Sequence, residues 1–278
     1  RTDTDEPDAP GRTRREYCYN ILVSGLDDDN GGSDTNILVR FDVPNKRIDL
    51  VSLPRDTLLH NEYRNNKLNF AYAKGGTELL MEQIENLLGV PVDFYVTVNL
   101  KGFIALVDQI DGVDFDIPIN MDYDDPYQDL HIHFTKGPRH LNGQEAMEVV
   151  RFRHNNDGTG YGTEDIGRIG TQQAFLKAVA KQLLQIGNVK NIPALVDIFY
   201  TYVKTDLTTG NLVWLGNEAL NIGTENIHFA TLPGDGSGYY NKQSVYVLDA
   251  QATCDLVNEA LNPYNEALTL EDMDILVP

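Results

Sequence analysis

Cysteine is nearly absent. Cys18 and Cys254 are the only two in 278 residues, too few for a disulfide framework although the pair could bridge, so they say nothing about compartment. No apolar run approaches the ~20 residues that a membrane-spanning helix needs. Basic residues are also scarce: 22 Lys and Arg stand against 42 Asp and Glu, a formal net charge of -20. Such a chain has no positive field to offset phosphate repulsion, which argues against a nucleic-acid partner and weakens broad adsorption to an anionic bilayer. An initiator Met is missing too. The polar opening Arg1-Thr2-Asp3-Thr4-Asp5-Glu6-Pro7 reads as a processed start, with an upstream signal or anchor removed.

The composition that remains is that of a folded protein. Apolar residues make up 41% and charged residues 23%, which excludes disorder, and the length suits one large α/β domain or two small ones. Residues 1–16 read as a flexible leader. Tyr17–Ser24 reads as a strand, and Asn36–Val43 with Lys46–Leu53 as a hairpin about Pro44-Asn45. Thr77–Leu88 has the periodicity of a helix, stopped by Gly89 and Pro91. Val92–Val98 alternates as a strand does. A helix over Leu100–Ile110, a strand over Val113–Ile117, a loop over Asp122–Asp129 and a strand over His131–Phe134 follow. Asn142 is placed to cap a short helix through Val149. The longest helix is expected over Asp165–Ile186, with Phe175, Val179, Leu183 and Ile186 as its apolar stripe. Two helical patterns, a strand over Ile227–Leu232, a Gly-rich loop and a helix from Asp249 complete the chain. Interleaved strands and helices predict an α/β layered domain with a mixed sheet. Residues 17–187 form the expected core, and residues 188–278 complete the same domain.

Several residue groups carry chemical potential. Asp27 and Asp34 bracket a Gly-rich loop, and loop carboxylates suit Mg²⁺, although Asp, Asn and Gly also simply make turns. An EF-hand is excluded, because position 12 counted from Asp27 is Leu38 instead of Glu. Arg55 closes the segment Ser52-Leu53-Pro54-Arg55-Asp56 at a strand end, where α/β sites commonly lie. Lys67-Leu68-Asn69-Phe70-Ala71-Tyr72 adds a cation and an amide. Arg151 and Arg153, two apart, would point to one side of an extended backbone. Asp165, Arg168 and Gln172 share a face near a helix start. The planar guanidinium fork suits phosphate, while each Arg alone is equally a surface ion-pair former. Gly158-Thr159-Gly160-Tyr161-Gly162 fits no nucleotide-binding pattern and reads as a lid or turn. His131 and His133 form a possible metal pair that needs a third ligand.

These motifs, in order, resemble the LytR-CpsA-Psr family: Asn20-Ile21-Leu22-Val23-Ser24-Gly25-Leu26-Asp27, Ser33-Asp34-Thr35, Ser52-Leu53-Pro54-Arg55-Asp56, Lys67-Leu68-Asn69-Phe70-Ala71-Tyr72, Arg151-Phe152-Arg153-His154 and Asp165-Ile166-Gly167-Arg168. The resemblance implies a three-layer α/β/α domain with a central mixed β-sheet and a long apolar pocket for a lipid tail. It implies a membrane-anchored phosphotransferase on the extracytoplasmic face of the Gram-positive envelope. Such an enzyme moves teichoic acid or capsular polysaccharide from a polyprenyl-pyrophosphate carrier to peptidoglycan. It also implies Mg²⁺ on Asp27 and Asp34, pyrophosphate on Arg55, Arg151, Arg153 and Arg168, and Lys67, Asn69, Asp165 and Gln172 nearby.

Two positions depart from the family pattern: Asp29 and Thr171 stand where the family carries arginines. The mechanism expected is metal-assisted phosphoryl transfer, with Asp165 or Asp56 as general base. The apolar faces of Thr77–Leu88 and Phe175–Ile186 are either walls of a lipid tunnel or ordinary core. A non-catalytic polyprenyl-pyrophosphate binding or regulatory protein and a lipid-pyrophosphate hydrolase are the alternatives.

Overall fold

The computed structural model describes residues 11–26, 31–127, 129–161, 164–185, 197 and 199–277. The chain divides into two compact units, Arg1–Asn99 with Lys204–Pro278, and Leu100–Val203. The expected segments 17–187 and 188–278 each run across both units.

The first unit is built on a six-stranded sheet. Its strands are β1 (Cys18–Leu26), β2 (Ser33–Asp42), β3 (Arg47–Leu53), β4 (Phe94–Val98), β9 (Val203–Thr205) and β10 (Ile227–Thr231). They lie in the order β10-β3-β2-β1-β4-β9. β2 is antiparallel to β1 and β3, while β1 pairs parallel with β4 and β3 parallel with β10. The sheet is therefore mixed, as expected. The β2–β3 connection turns through Val43–Lys46, with Lys46 at φ 49.

Leu22, Leu38 and Val51 face one layer of helices. There they meet Leu80, Ile84 and Leu87 of α1 (Leu68–Leu88) and Val257 and Ala260 of the C-terminal helix Ala250–Ala260. The alternating residues Ile21, Ile37 and Ile48 are buried on the opposite face. On the side of β1 and β4, Trp214 of the helix Thr209–Ile222 packs edge-on to Tyr19 at 6.0 Å, and Tyr19 also meets Phe94. Helices thus flank both faces of this sheet. The apolar face of Thr77–Leu88 packs as core: Leu80, Ile84 and Leu88 are fully buried against the sheet. The helix also begins earlier than periodicity suggested. It opens at Leu68 and breaks at Gly75 and Gly76, where φ 67 at Gly76 admits glycine readily.

Residues 12–15, expected within the leader, are held to this unit. Arg12 pairs with Asp272 at 2.6 Å, Arg14 with Asp93, and Arg15 with Asp42 at 2.5 Å. Cys18 and Cys254 are both buried and free, so the possible bridge is not formed. Burial pushes the Cys18 thiol up to about 11, against the opposing pull of Arg15. Its thiolate at pH 8 is then about one part in a thousand. Iodoacetamide at pH 8 should leave Cys18 unmodified in the native protein and label it in urea, as read by peptide mass spectrometry. Native labelling at the unfolded rate would contradict the burial.

The second unit packs α2 (Leu100–Gln109), α3 (Gly143–Arg151) and α4 (Glu164–Gln185) with two antiparallel strand pairs. β5 (Val113–Ile117) pairs with β8 (Gly137–Leu141), and β6 (Met121–Asp125) pairs with β7 (Leu130–Phe134). Both β5 and β7 alternate strictly. Val113, Phe115 and Ile117, with Leu130, Ile132 and Phe134, enter one core with Phe152 and Phe175. Their polar neighbours face solvent. Two expectations change here. Asp122–Asp125, expected as loop, is strand β6, because cross-strand pairing overrides its weak intrinsic preference. The stripe of α4 is only partly buried: Phe175 is in the core, Leu183 is exposed at 39%, and Ile186 lies outside the described residues.

Similarly, the Gly-rich segment expected as a loop near the C-terminus is strand β11 (Gly234–Tyr240), paired with β12 (Gln243–Leu248). Asn142 caps α3 as expected, accepting from the Glu145 N–H in a capping box.

Candidate functional site

Strands β1, β3, β4 and β10 run parallel, so their carboxyl ends, Leu26, Leu53, Val98 and Thr231, lie at one edge of the sheet, where β2 begins at Ser33. This is the edge at which α/β folds place their ligands. Asp27 and Asp29 lie outside the described residues. Asp34 is the second residue of β2. Its start is fixed from within by buried Ser33 and Asn36, the latter hydrogen-bonded to Ser24 Oγ at 3.1 Å. Asp34 itself keeps about a third of its side chain exposed, at 34%.

Beyond β3, the Pro54 carbonyl accepts the Thr57 N–H at 3.0 Å and the Thr57 hydroxyl at 2.6 Å. This turn presents Arg55 and Asp56. The start of α1 is zipped to it: the Asn69 N–H donates to the Arg55 carbonyl at 2.9 Å and the Leu68 N–H to the Thr57 carbonyl at 3.0 Å. Asn69 thus joins the turn through its backbone. Four side chains then alternate in charge. Arg55 donates to Asp34, its Nε lies 3.7 Å from Asp56, and Lys67 Nζ lies 3.2 Å from the same Asp56 oxygen. Three expected residues, Asp34, Arg55 and Lys67, are brought together. The role of Asp56 in joining the two cations is not legible in the sequence, because it stands eleven positions before Lys67.

The second unit carries the other expected residues. Arg151 and Arg153 do not lie on an extended strand. Arg151 is the last residue of α3, since the Phe152 N–H still bonds to the Glu148 and Val149 carbonyls. Phe152 between them is 1% exposed and has already left the helix, at φ -59 and ψ 133. Gln172 Nε2 donates to the Val150 carbonyl at 3.2 Å, tying α4 to the end of α3 that carries Arg151. Arg168 lies one turn earlier on α4 and is buried at 8%. The backbone of Asp165 belongs to α4, and its side chain lies outside the described residues.

Thr171, one of the departures, is buried at 4%. Its hydroxyl hydrogen-bonds to Tyr161 Oη at 2.9 Å and reaches the Gly167 carbonyl at 3.1 Å. Burial holds the Tyr161 phenol above its ordinary value, while the Thr171 hydrogen bond and the Arg168 charge pull it down. Tyr161 therefore belongs to this cluster, a role that the lid reading of the glycine segment hid. That segment is a closed turn up to Gly160: His154 bridges Gly160, and the Thr159 N–H donates to Asp157 at 2.9 Å. Gly167 makes room for the phenol. A Cβ there would lie 2.3 Å from Tyr161 Cβ and 2.5 Å from its Cγ. Gly167→Ala should therefore lower stability by about 1–3 kcal/mol despite its better helix propensity. Urea denaturation checks this, and a stabilised variant would contradict the packing.

The model of the LytR_cpsA_psr family matches residues 3–262. TagV of Bacillus subtilis, named a polyisoprenyl-teichoic acid–peptidoglycan teichoic acid transferase, is 32% identical over 248 residues, 84% of this chain and 61% of TagV. TagU of Bacillus cereus, named for the same transfer, is 32% identical over 244 residues, covering 86% of this chain and 76% of TagU. The match to TagV thus spans less than two thirds of that relative's length. The crystal structure of B. subtilis TagV superposes with a TM-score of 0.75 at 26% identity, covering 95% of this chain and 100% of that one.

Proposed function

This chain belongs to the LytR_cpsA_psr family, and on that premise we propose that it is a phosphotransferase that moves a glycopolymer from a polyprenyl-pyrophosphate carrier to peptidoglycan. The observation that carries the reading is the Asp34–Arg55–Asp56–Lys67 array at the carboxyl edge of the sheet. Its two cations suit the charge of a pyrophosphate, and TagV and TagU are named as transferases of teichoic acid to peptidoglycan. An extracytoplasmic location, with membrane attachment through an N-terminal anchor, is part of the same proposal. So is an apolar pocket for the lipid tail.

Mg²⁺ fits the chemistry of this edge. Asp34 offers only oxygen ligands and is one third exposed, which suits a hard cation. Asp34, with Asp27 by resemblance, would hold the ion, which when bound supplies neutralisation of pyrophosphate charge. Arg55 donates to phosphate oxygens as charge builds on them, and Lys67 is held in place by Asp56. The resemblance assigns Arg151, Arg153 and Arg168 to pyrophosphate as well. A peptidoglycan hydroxyl forms the new bond to the sugar-proximal phosphorus, and the bond to the lipid-linked phosphate breaks. Polyprenyl phosphate leaves with the electron pair, and the hydroxyl proton passes to a carboxylate, Asp165 or Asp56.

The test is incubation of the purified protein with Mg²⁺, a lipid-pyrophosphate glycan and insoluble peptidoglycan. Glycan in the insoluble fraction supports transfer. Free phosphorylated glycan means hydrolysis instead, and unchanged, protein-bound lipid means binding alone.

A further inference from the structure

The outer face of the β6–β7 pair gathers groups that the transfer reaction does not use. Register places Asp124 opposite His131 and Asp122 opposite His133, so all four project from one face, with Tyr123 and Ile132 on the other. Exposed Asp–His pairs are ordinary on protein surfaces. Here, however, two imidazoles converge on one carboxylate oxygen. Asp124 Oδ1 lies 2.5 Å from His131 Nδ1 and 3.3 Å from His133 Nε2. One ligand atom from each of Asp124, His131 and His133 lies within 4.8 Å of the others. Tetrahedral ligands of a Zn²⁺ ion stand about 3.3 Å apart at bond lengths near 2.0–2.1 Å, so small side-chain rotations close the set.

A further carboxylate prepares the site. His133 Nδ1 lies 2.8 Å from Asp122. With Nδ1 donating there, Nε2 is the nitrogen left to take an ion in place of the proton it shares with Asp124, the carboxylate–histidine arrangement that orients metal ligands. The backbone beneath is also pinned. The Asp122 and Asp124 N–H groups donate to the Asn155 and Asn156 side chains at 2.7 and 2.6 Å, and Asn156 Nδ2 donates back to the Asp124 carbonyl at 3.0 Å. The strand that bears Asp122 and Asp124 is thus held by the turn that follows Arg153, before any ion arrives.

We propose that Asp124, His131 and His133 form a binding site for a borderline-soft divalent transition metal of the Zn²⁺ class, with the fourth position open to water. Two imidazoles favour such an ion over Mg²⁺ or Ca²⁺, which take oxygen ligands. A chain with a net charge of -20 concentrates cations at its surface. The site is independent of the transferase reading, because none of its residues belongs to the pyrophosphate array.

Isothermal titration of the full chain with ZnCl₂ at pH 7.5 tests it. One ion should bind per chain with a dissociation constant on the order of micromolar, as three ligands on an open surface allow. His131→Ala and His133→Ala should each weaken binding at least about tenfold, with unchanged far-ultraviolet circular dichroism. His140→Ala, which removes another exposed Asp-paired histidine, should leave binding intact. CoCl₂ should give the intense visible bands of a tetrahedral complex, and excess MgCl₂ should not displace it. No saturable Zn²⁺ binding, or binding indifferent to the double His131→Ala/His133→Ala variant, would overturn the proposal.

Discussion

Arg55→Ala should lower the single-turnover rate of glycan transfer about 10²–10³-fold, the usual cost of removing one preorganised donor from a developing anion. The effect should fall on the chemical step. Arg55 sits in a turn already braced by Thr57 and by the start of α1, so its loss leaves the frame standing and the melting temperature nearly unchanged. Its side chain is partly exposed, at 27%, so a ligand can reach it. Arg55→Lys should recover part of the rate, because a point charge replaces the bidentate fork. Asp56→Asn should have a smaller effect by loosening Lys67. An Arg55→Ala protein with full turnover would remove this array from the reaction.

The largest expected loss of stability lies elsewhere in the same sheet. Arg40→Ala should destabilise the protein by about 3–5 kcal/mol, the cost of breaking one partner out of a buried ion pair. Arg40 is 3% exposed and donates to Asp49, itself 2% exposed, at 2.7 Å, and its other Nη reaches the Asn262 carbonyl at 3.3 Å. Arg47 Nε also reaches Asp49, at 2.8 and 2.9 Å, so some compensation stays and the lower end of the range is expected. Arg12→Ala is the contrast. The Arg12–Asp272 pair is partly exposed on both sides, and such pairs contribute about 0–1 kcal/mol. Urea midpoints for the two variants check the difference. Equal midpoints would show that burial does not set the strength of these pairs.

How much of this could be read from the chain alone depended on whether local pattern and tertiary partner agreed. The hairpin about Pro44-Asn45, the helix Thr77–Leu88 and the Asn142 cap carry their own signals within a few residues, and all three formed. β6 and β11 carry none. Met121–Asp125 is mostly acidic and Gly234–Tyr240 is rich in glycine, so their strand state comes from β7 and β12, which pair with them. Residues 68–74 of α1 were missed because Gly75 and Gly76 interrupt the period that follows. Within the site, residue types were legible and pairings were not. Arg55 and Lys67 were visible as cations, but only the fold places Asp56 between them. The i, i+2 spacing of Arg151 and Arg153 suits an extended backbone, but α3 runs on to include Arg151 and only Phe152 after it takes extended angles. Thr171 looked like a missing charge. In the structure it is a buried hydroxyl that secures Tyr161.

The most direct test follows the phosphorus. A polyprenyl-pyrophosphate glycan labelled with ³²P at the sugar-proximal phosphate, incubated with the protein, Mg²⁺ and peptidoglycan, should deliver its label to the insoluble polymer and release unlabelled polyprenyl phosphate. Label recovered in soluble phosphorylated glycan, or retained in intact lipid, would contradict the transfer.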